Sequence, residues 1–524
     1  MFGVFNTVME IDAMQYASIS KELLRGDNIL HLFDNGRPYL DKPPLIFWIT
    51  ALFFKLFGSS GFVYRIPSIL LTLLLVYSTY RFSRLYYSEN VSQIAALILS
   101  SSQALFIMNA DVRTDIYMMA PMMLAVWQLT AYFHYQKWKN LLIGWIAISL
   151  AMMGKGPLGL VIPLSVLTMD LLFNRKIRVL WDKRLLVGLL ICFFCLLRMS
   201  YGLYTQFGSY GLEFFYWTQS FGRITGDSSW TNSTGPFYLF NVFLYVFLPW
   251  TLISLMAIIE LSRDIIKKNY GTRKVEYVSF FGFILPILML SASNYKLPHY
   301  VYCVIPFASI LTAVKIEDWL NNKHYKILNL IQNFLITLML LLIFGLTYYA
   351  FGIEINMIII PILILVVFTK IGIKKKGNKV IRFLIPSVVA SILCNYGLNV
   401  GFMRPLLQFQ SQSQAAFFIK ENDYEDFELY FYEEDSKAKS RSCNFYLDRN
   451  IKYIDHVFLE NKSNPRPKLI FTNDKGLKEL LDHKIGFEIL SEFEHVRVSK
   501  LKAQFINPLT RPQVTRKKYL LKCI

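Results

Sequence analysis

The chain has 524 residues, of which 54% are hydrophobic, 16% are aromatic and only 17% are charged. A soluble domain carries about a quarter charged residues, so this composition excludes an ordinary soluble protein. The net charge of +19 does not call for nucleic acid, because the Lys and Arg residues collect in alternate loops, as cytoplasmic loops of membrane proteins do.

Apolar runs dominate the first 400 residues. Runs of about 18–25 apolar residues are long enough to cross about 30 Å of hydrocarbon. We predict twelve spans, at residues 64–86, 91–109, 114–135, 138–153, 156–173, 186–204, 236–260, 276–293, 298–315, 327–350, 353–372 and 380–402. Residues 43–57 are apolar but too few to span comfortably, and we predict an interfacial helix there.

The basic residues predict the topology. Every second loop is basic, from Arg81 and Arg84 through to Lys374–Lys376, and such loops face the cytoplasm. The intervening segments, including the long loop at 205–235 and the tail, then face outward. We therefore expect the chain to divide into a first outer loop (1–63), a transmembrane domain (64–403) and an outer tail domain (404–524).

The two ends of the chain differ from the apolar part. Residues 1–10 are too short to span, yet Asp12 must lie outside. Either a thirteenth helix was lost through a misplaced start codon, which we favour, or the chain begins with the stub of one. The tail alternates strand-like runs with one helix-like run, which predicts a small extracytoplasmic α/β domain without catalytic residues. The strand-like runs are ELYFY, NFYL, KLIFT and FEILSEF, and the helix-like run is KGLKELLDHK.

Six cysteines are scattered along the chain. Cys192 and Cys195 form a CxxC inside an apolar run, which favours a role in the core over metal or redox chemistry. Cys443 and Cys523 lie in the polar tail, and they can form a disulfide if the tail is in an oxidising compartment.

The outward segments hold the residues that can carry chemistry. Each one alone can be a solvated helix cap or a topology signal. Together, carboxylates can act as general base and bind sugar hydroxyls, while Lys and Arg can neutralise a phosphate leaving group, as in a lipid-linked phosphosugar. These residues are Asp12, Tyr16, Lys21, Glu22, Arg37, Tyr39, Asp41, Lys42, Asp111, Arg113, Asp115, Lys155, Arg223, Asp227, Lys296, His299 and Tyr300. No His/Cys cluster demands a metal, although Asp12 and Asp115 together could hold a divalent cation.

Several motifs match a known family in order along about residues 10–405. They are IDAMQYASISKELLRGD, NGRPYLDKPPLIFWITALFFKLFG, FVYRIPS, NADVRTDIYM, MMGKGPLGLVIP, GPFYLFNVFLYVFLPW and SNYKLPHYVYCVIP. With these motifs the chain resembles the GT-C membrane glycosyltransferases of the dolichyl-phosphate-mannose protein mannosyltransferase type. Within them it is most similar to the bacterial aminoarabinose transferases that modify lipid A. The resemblance implies an all-α GT-C helical bundle in the bacterial inner membrane, with its active site and its tail domain on the periplasmic side.

The resemblance also implies roles for single residues. Asp12 and Asp115 match the two essential carboxylates of the family, and Lys42 and Tyr300 match contacts to the donor phosphate. Further phosphate partners are expected at Arg223, Lys155 and Lys296, and substrate contacts at Tyr39, Asp41 and Tyr16. The chain departs from the usual DExRY motif, because Ala13 replaces the second acid and Gln15 replaces the arginine. The usual histidine of the long loop is not evident near Asn232.

The implied function is transfer of a glycosyl group from a polyprenyl-phosphate sugar to a lipid A-type lipid, a protein or a cell-surface glycan, with inversion at the anomeric centre. Two alternatives stay open. A transporter or flippase fits twelve spans, but transporters place ionisable groups near the membrane midplane and often contain repeats, whereas these charges collect at one rim. A degenerate, inactive homologue fits the departure at residues 12–16 and the short start.

Overall fold

The computed structural model describes residues 2–219, 222, 232, 234–267, 276–321, 325–352, part of 354–370, 379–432, 440–449, 451–455 and 469–523. Most of these residues are helical, which confirms the all-α membrane architecture expected from composition. Half of the residues of the eleventh predicted span, 353–372, lie outside the described residues. Arg223 and Asp227 also lie outside them.

The segment before the helical bundle contains a 3₁₀ turn, two helices and a short hairpin. A 3₁₀ turn at Phe2–Phe5 precedes helix α1 (Asp12–Leu23). Strands β1 (Phe33–Asp34) and β2 (Arg37–Pro38) form a short antiparallel hairpin. Helix α2 (Leu45–Phe57) begins directly after Pro44 and corresponds to the predicted interfacial helix. A proline is well tolerated at the start of a helix, because the first N–H groups have no intrahelical partner.

The bundle follows in chain order. Its helices are α3 (Gly61–Ser83), α4 (Glu89–Ser101), α5 (Gln103–Ala110), α6 (Thr114–Tyr135), α7 (Trp138–Lys155), α8 (Leu158–Phe173), α9 (Arg184–Phe207), α10 (Ser209–Glu213), α11 (Tyr238–Val246), α12 (Thr251–Ile266), α13 (Val278–Ser291), α14 (Ile305–Asn321), α15 (Tyr325–Phe351), α16 (Lys379–Tyr396) and α17 (Arg404–Leu407). Within the described residues, six helices are long and apolar enough to cross a membrane, or seven if the α4–α5 pair, bent by 46°, is one span. Helices α2, α8 and α13 are shorter apolar helices. The number of twelve spans stays a prediction.

Two predicted spans are broken rather than continuous. The span predicted at 236–260 divides into α11 and α12 around Pro249, which has no N–H to donate to a helical hydrogen bond. The span predicted at 91–109 bends between α4 and α5. The two breaks meet, because the Trp250 indole Nε1 donates a 3.0 Å hydrogen bond to the Ser101 hydroxyl. A side-chain hydrogen bond thus links the two breaks.

The tail folds as the predicted small α/β domain. Its helices are α18 (Ser411–Glu421), α19 (Arg441–Leu447), α20 (Asp474–Asp482) and α21 (Ala503–Ile506), and its strands are β3 (Leu429–Tyr432), β4 (Lys452–Tyr453), β5 (Leu469–Asn473), β6 (Phe487–His495) and β7 (Arg516–Cys523). The sheet has the order β4-β3-β5-β7-β6, with β3 parallel to β4 and β5, and β7 antiparallel to β5 and β6. Apolar residues of α18 and α19 cover one face, and α20 covers the other.

Two expectations for the tail were wrong. The NFYL run is not a strand but the second half of α19, where Cys443 and Phe445 are buried. Strand propensity of such a short aromatic run is overridden by packing, here of Phe445 against Phe54 at 5.9 Å. Cys443 and Cys523 do not form a disulfide. They pack against opposite faces of the sheet, so their sulfurs cannot meet.

Candidate active site

Helices α6 and α7 bring Asp115 and Lys155 together. Asp115 lies in the first turn of α6, and Lys155 is the last residue of the antiparallel neighbour α7. The ammonium Nζ of Lys155 forms an ion pair with Asp115 Oδ1, and the Asp115 side chain is only 2% exposed. Gly154 permits this approach, because a Cβ there would overlap the carbonyl oxygen of Tyr117 on α6. The glycine of the MMGKG motif thus lets the lysine reach the carboxylate.

The KLPHY motif places two aromatic side chains, His299 and Tyr300, beside this ion pair. His299 and Tyr300 lie on a 3₁₀ segment, Pro298–Val304, that leads into α14. The Lys155 ammonium lies 4.5 Å from the centre of the Tyr300 ring, a distance at which a cation is attracted to an aromatic face. The Nε2 atom of His299 lies 3.9 Å from Asp115 Oδ2. Asp115 is therefore flanked by two groups that can carry positive charge.

The DKPP motif places a second lysine nearby. Lys42 Nζ forms a 2.7 Å ion pair with the neighbouring Asp41 Oδ2. The loop that holds this pair is fixed by the Gln219 side-chain amide, which donates to the Asp41 carbonyl oxygen. Lys42 is 22% exposed, so its ammonium is positioned by a carboxylate while part of it is accessible to a ligand.

Four of these groups line one cavity that is open on one side. Lys42, Lys155, His299 and Tyr300 belong to its polar wall, while leucines and a proline supply the apolar wall. The other lining residues are Pro43, Thr114, Leu158, Gln219, Leu290, Ser293 and Leu297. A pocket that combines clustered cations with an apolar wall fits an anionic head group attached to a hydrocarbon chain.

Asp12 belongs to a neighbouring cluster and is not part of the cavity wall. It lies in the first turn of α1, and its Oδ2 forms an ion pair with the Arg113 guanidinium. Arg113 also binds Asp111, at 2.6 Å from Nη2 to Oδ2. Burial raises the pKa of Asp111, although the adjacent Arg113 favours its charged form. The Asp12 side chain is 43% exposed, so it is the accessible carboxylate of the pair Asp12 and Asp115.

Tyr16 and Tyr39, predicted as substrate contacts, lie beneath the site. Both are buried, and both rings pack edge-to-face on Phe47 of α2, with centres 5.9 and 5.7 Å from it. Burial, together with the negative charges of Asp12 and Asp41, raises the pKa of both phenols well above the usual value. They stay neutral and support the loop that carries Lys42.

Lys296 is placed differently from the other predicted phosphate partners. It is buried, and its Nζ donates a 3.3 Å hydrogen bond to the carbonyl oxygen of Thr234. The Asn232 side-chain amide donates to the Lys296 carbonyl oxygen at 2.6 Å. These contacts tie the end of the long loop to the KLPHY segment. Lys296 is not among the residues that line the cavity, and Arg223 lies outside the described residues.

Three contributors to the site received no specific role from the sequence. Arg113 and His299 were named only among the outward polar residues, and Gln219 belonged to no motif. The signal for His299 was its place between Lys296 and Tyr300 in a motif that was already recognised. In the part of the chain that the structure describes, no group of three or more His, Cys, Asp or Glu side chains is arranged to hold a metal ion. Asp12 and Asp115 are each paired with a basic side chain instead.

The fold and this rim of paired charges define a polytopic membrane protein with a cavity lined by basic and apolar side chains. A family model described as dolichyl-phosphate-mannose-protein mannosyltransferase matches residues 41–201. The structure is similar to that of ArnT from Cupriavidus metallidurans bound to undecaprenyl phosphate, with a TM-score of 0.72 and 16% identity, over 98% of this chain and 94% of that one. The fold is therefore the GT-C membrane fold.

Proteins that are similar in sequence support the same assignment. An uncharacterized protein of Aquifex aeolicus is 29% identical over 370 residues, which cover 70% of each protein. Undecaprenyl phosphate-alpha-4-amino-4-deoxy-L-arabinose arabinosyl transferase 1 of Pseudomonas fluorescens is 27% identical over 332 residues, which cover 61% of this chain and 56% of that protein. The chain thus matches a little over half the length of that transferase. It is related to the GT-C glycosyltransferases and, among them, to the aminoarabinose transferases, which confirms the resemblance read from the motifs.

Proposed function

We propose that the protein transfers a glycosyl group from a polyprenyl-phosphate-linked sugar to an acceptor on the outer face of the bacterial inner membrane. The observation that carries this proposal is the cavity in which Lys42, Lys155, His299 and Tyr300 converge beside an apolar wall. Phosphate is an anion that such a set of donors binds well. The hydrocarbon of the lipid would lie along the leucines and extend into the membrane.

In the proposed reaction, the bond between the anomeric carbon of the sugar and the phosphate oxygen breaks. The electron pair stays on the lipid phosphate, whose added negative charge Lys42 and Lys155 stabilise, with Tyr300 beside them. Donors that are already in place when charge develops lower the barrier most, because little reorganisation is needed. Asp115 keeps Lys155 at the cavity wall and is not itself exposed to the sugar.

A new bond forms between the anomeric carbon and an oxygen of the acceptor, from the face opposite the phosphate. If the acceptor is a hydroxyl, its proton passes to the Asp12 carboxylate, which is accessible and forms an ion pair with Arg113. If the acceptor is a phosphate that is already ionised, no base is needed, and Asp12 orients the acceptor. The acceptor class is a lipid A-type lipid, a protein or a surface glycan, and the named relatives favour aminoarabinose as the sugar.

The test is glycosyl transfer by the purified protein with defined polyprenyl-phosphate sugars, with mass spectrometry of the lipid and protein products. We expect transfer by the unaltered chain and large losses in Lys42→Ala, Asp115→Asn and Asp12→Asn. Lys137→Ala is the matched control, because Lys137 is an exposed lysine in the loop at the opposite ends of α6 and α7. Full activity in all three site variants would refute the site assignment, and movement of labelled lipid without transfer would favour a flippase.

A further inference from the structure

Helix α1, which carries Asp12, is bound from outside the bundle by the C-terminal domain. Just before the helix, Glu10 Oε1 accepts a 2.9 Å hydrogen bond from the Ser442 hydroxyl. Near its end, the buried Lys21 donates a 2.7 Å hydrogen bond to the Phe445 carbonyl oxygen. Both partners belong to α19, more than 400 residues later in the chain. The position of α1 is therefore set partly by the tail.

A buried ion pair also joins strand β1 to the C-terminal domain. Arg441 binds Asp34 with both ends of its guanidinium, at 3.0 Å from Nε to Oδ1 and 2.6 Å from Nη2 to Oδ2. The Asp34 side chain is 3% exposed and that of Arg441 is 14% exposed. Such two-pronged pairing fixes the geometry of both partners as well as their charge.

Asp34 also contacts helix α1. Gln15 Nε2 donates a 2.8 Å hydrogen bond to the same Asp34 Oδ2 that Arg441 binds. Gln15 is three residues after Asp12, so the two side chains lie on neighbouring positions of one helix face. Because Gln15 is neutral, it cannot balance the buried charge of Asp34. In this ion pair, the balancing charge comes from the C-terminal domain.

We propose that Arg441 is a positioning residue for glycosyl transfer. By neutralising Asp34, it holds Gln15 and with it the face of α1 that presents Asp12 to the acceptor. The C-terminal domain then completes the active site rather than merely covering it. This inference rests on the proposed function for its activity test, but it also predicts a structural effect on α1 that can be measured without any substrate.

The experiment moves the positive charge from the tail to α1. In Arg441→Gln, we expect kcat to fall about tenfold or more, because small displacements of catalytic groups have effects of this size. The donor KM should change much less, since Arg441 is not among the residues that line the cavity. In the double variant Gln15→Arg with Arg441→Gln, an arginine on α1 itself can reach Asp34, and kcat should recover to within about threefold of the unaltered protein.

Hydrogen exchange of the α1 amides is the second readout. Arg441→Gln should speed exchange over Asp12–Leu23, and the double variant should slow it again. Lys517→Gln is the control, because it removes an exposed ion pair with Glu492 in the same domain. It should change neither readout. If Arg441→Gln does not fold, Arg441→Lys keeps the charge without the two-pronged geometry and is compared in the same way.

Three results would overturn the inference. They are unchanged kcat and α1 exchange in Arg441→Gln, a loss of kcat that Gln15→Arg does not restore, and a donor KM that rises as much as kcat falls. The second result would mean that Arg441 serves only to dock the domain. If the unaltered chain transfers no sugar from any donor, the proposed function fails, and hydrogen exchange still decides whether Arg441 orders α1.

Discussion

Two carboxylates flank the candidate site, and they differ in exposure and in the group that balances their charge. Asp115 is 2% exposed and bound to a lysine at the end of an antiparallel helix. Asp12 is 43% exposed and bound to an arginine on a loop. A buried ion pair is costly to break from one side, whereas an exposed one contributes little to stability. We therefore expect Asp115 to hold Lys155 at the cavity wall, while Asp12 is accessible to the groups of the proposed reaction.

The largest effect should follow from removing the lysine of the buried pair. Lys155→Ala leaves the Asp115 charge buried without this partner, which should cost about 3–5 kcal/mol of stability. Transfer should fall more than about a hundredfold, because a donor to the leaving phosphate is also lost. Thermal unfolding in detergent and transfer assays measure the two effects.

The double variant Lys155→Met with Asp115→Asn separates these contributions. It should recover most of the stability, since no buried charge is left unpaired, but it should not recover transfer. Recovery of both would mean that the pair only stabilises the fold and that the contrast with Asp12 is mistaken.

Asp12→Asn should lower transfer strongly but stability only slightly. Since 43% of its side chain is exposed, stability should change by less than about 1 kcal/mol. If the acceptor is a hydroxyl, transfer should fall about 10²–10⁴-fold through loss of the general base. Measuring transfer against pH with hydroxyl and phosphate acceptors tests this role. A stability loss as large as that of Lys155→Ala would contradict the proposed difference between the two carboxylates.

The sequence could predict that Asp115 and Lys155 lie at the same end of the bundle. Two helices of 22 and 18 residues are joined by two residues, so the start of α6 and the end of α7 must lie at the same end of the bundle. Asp115 and Lys155 occupy those positions. Their motifs also fixed the identity of the residues, since NADVRTD and MMGKG match the family at these points. Local spacing and motif matching together predicted this part of the site.

The contacts that hold Asp12 and helix α1 in place could not be predicted in this way. Arg441 and Asp34 are 407 residues apart, and no periodicity links them. The segment that contains Arg441 was itself misread, because NFYL has strand-forming residues but folds as part of a helix that packs on α1. Contacts between distant segments depend on how the whole chain packs, and a single sequence does not reveal that. The same holds for Gln219, which contacts Asp41 from the end of a distant segment.

Gly154→Ala tests whether close packing of α6 and α7 is what joins Lys155 to Asp115. The added methyl group would overlap the Tyr117 backbone, so the helices must separate at a cost of about 1–3 kcal/mol. Transfer should fall with stability, because Lys155 moves away from the cavity. The matched control is Gly345→Ala on α15, where a Cβ would meet open space. Equal behaviour of the two variants would remove the packing explanation for the MMGKG motif.

The smallest effect concerns Glu10, which lies two residues before Asp12 and contacts the C-terminal domain. Burial raises its pKa from 4.5 to about 6, although the Ser442 hydrogen bond favours the charged form. A raised carboxyl pKa means that the folded state prefers the proton. The stabilising contribution is thus complete below pH 4.5 and is lost as the pH rises through about 6.

Glu10→Gln should therefore be about 1–2 kcal/mol more stable than the unaltered protein above pH 6, and nearly equal to it below pH 4.5. The glutamine carbonyl oxygen can still accept the hydrogen bond from Ser442, so the difference isolates the charge. Unfolding temperatures of both proteins between pH 4 and 7.5 give the comparison. A constant difference across that range would show that Glu10 acts through its shape rather than its protonation. The tail's contact with the start of α1 would then carry no pH dependence, and the exposed Asp12 would be supported equally at every pH tested.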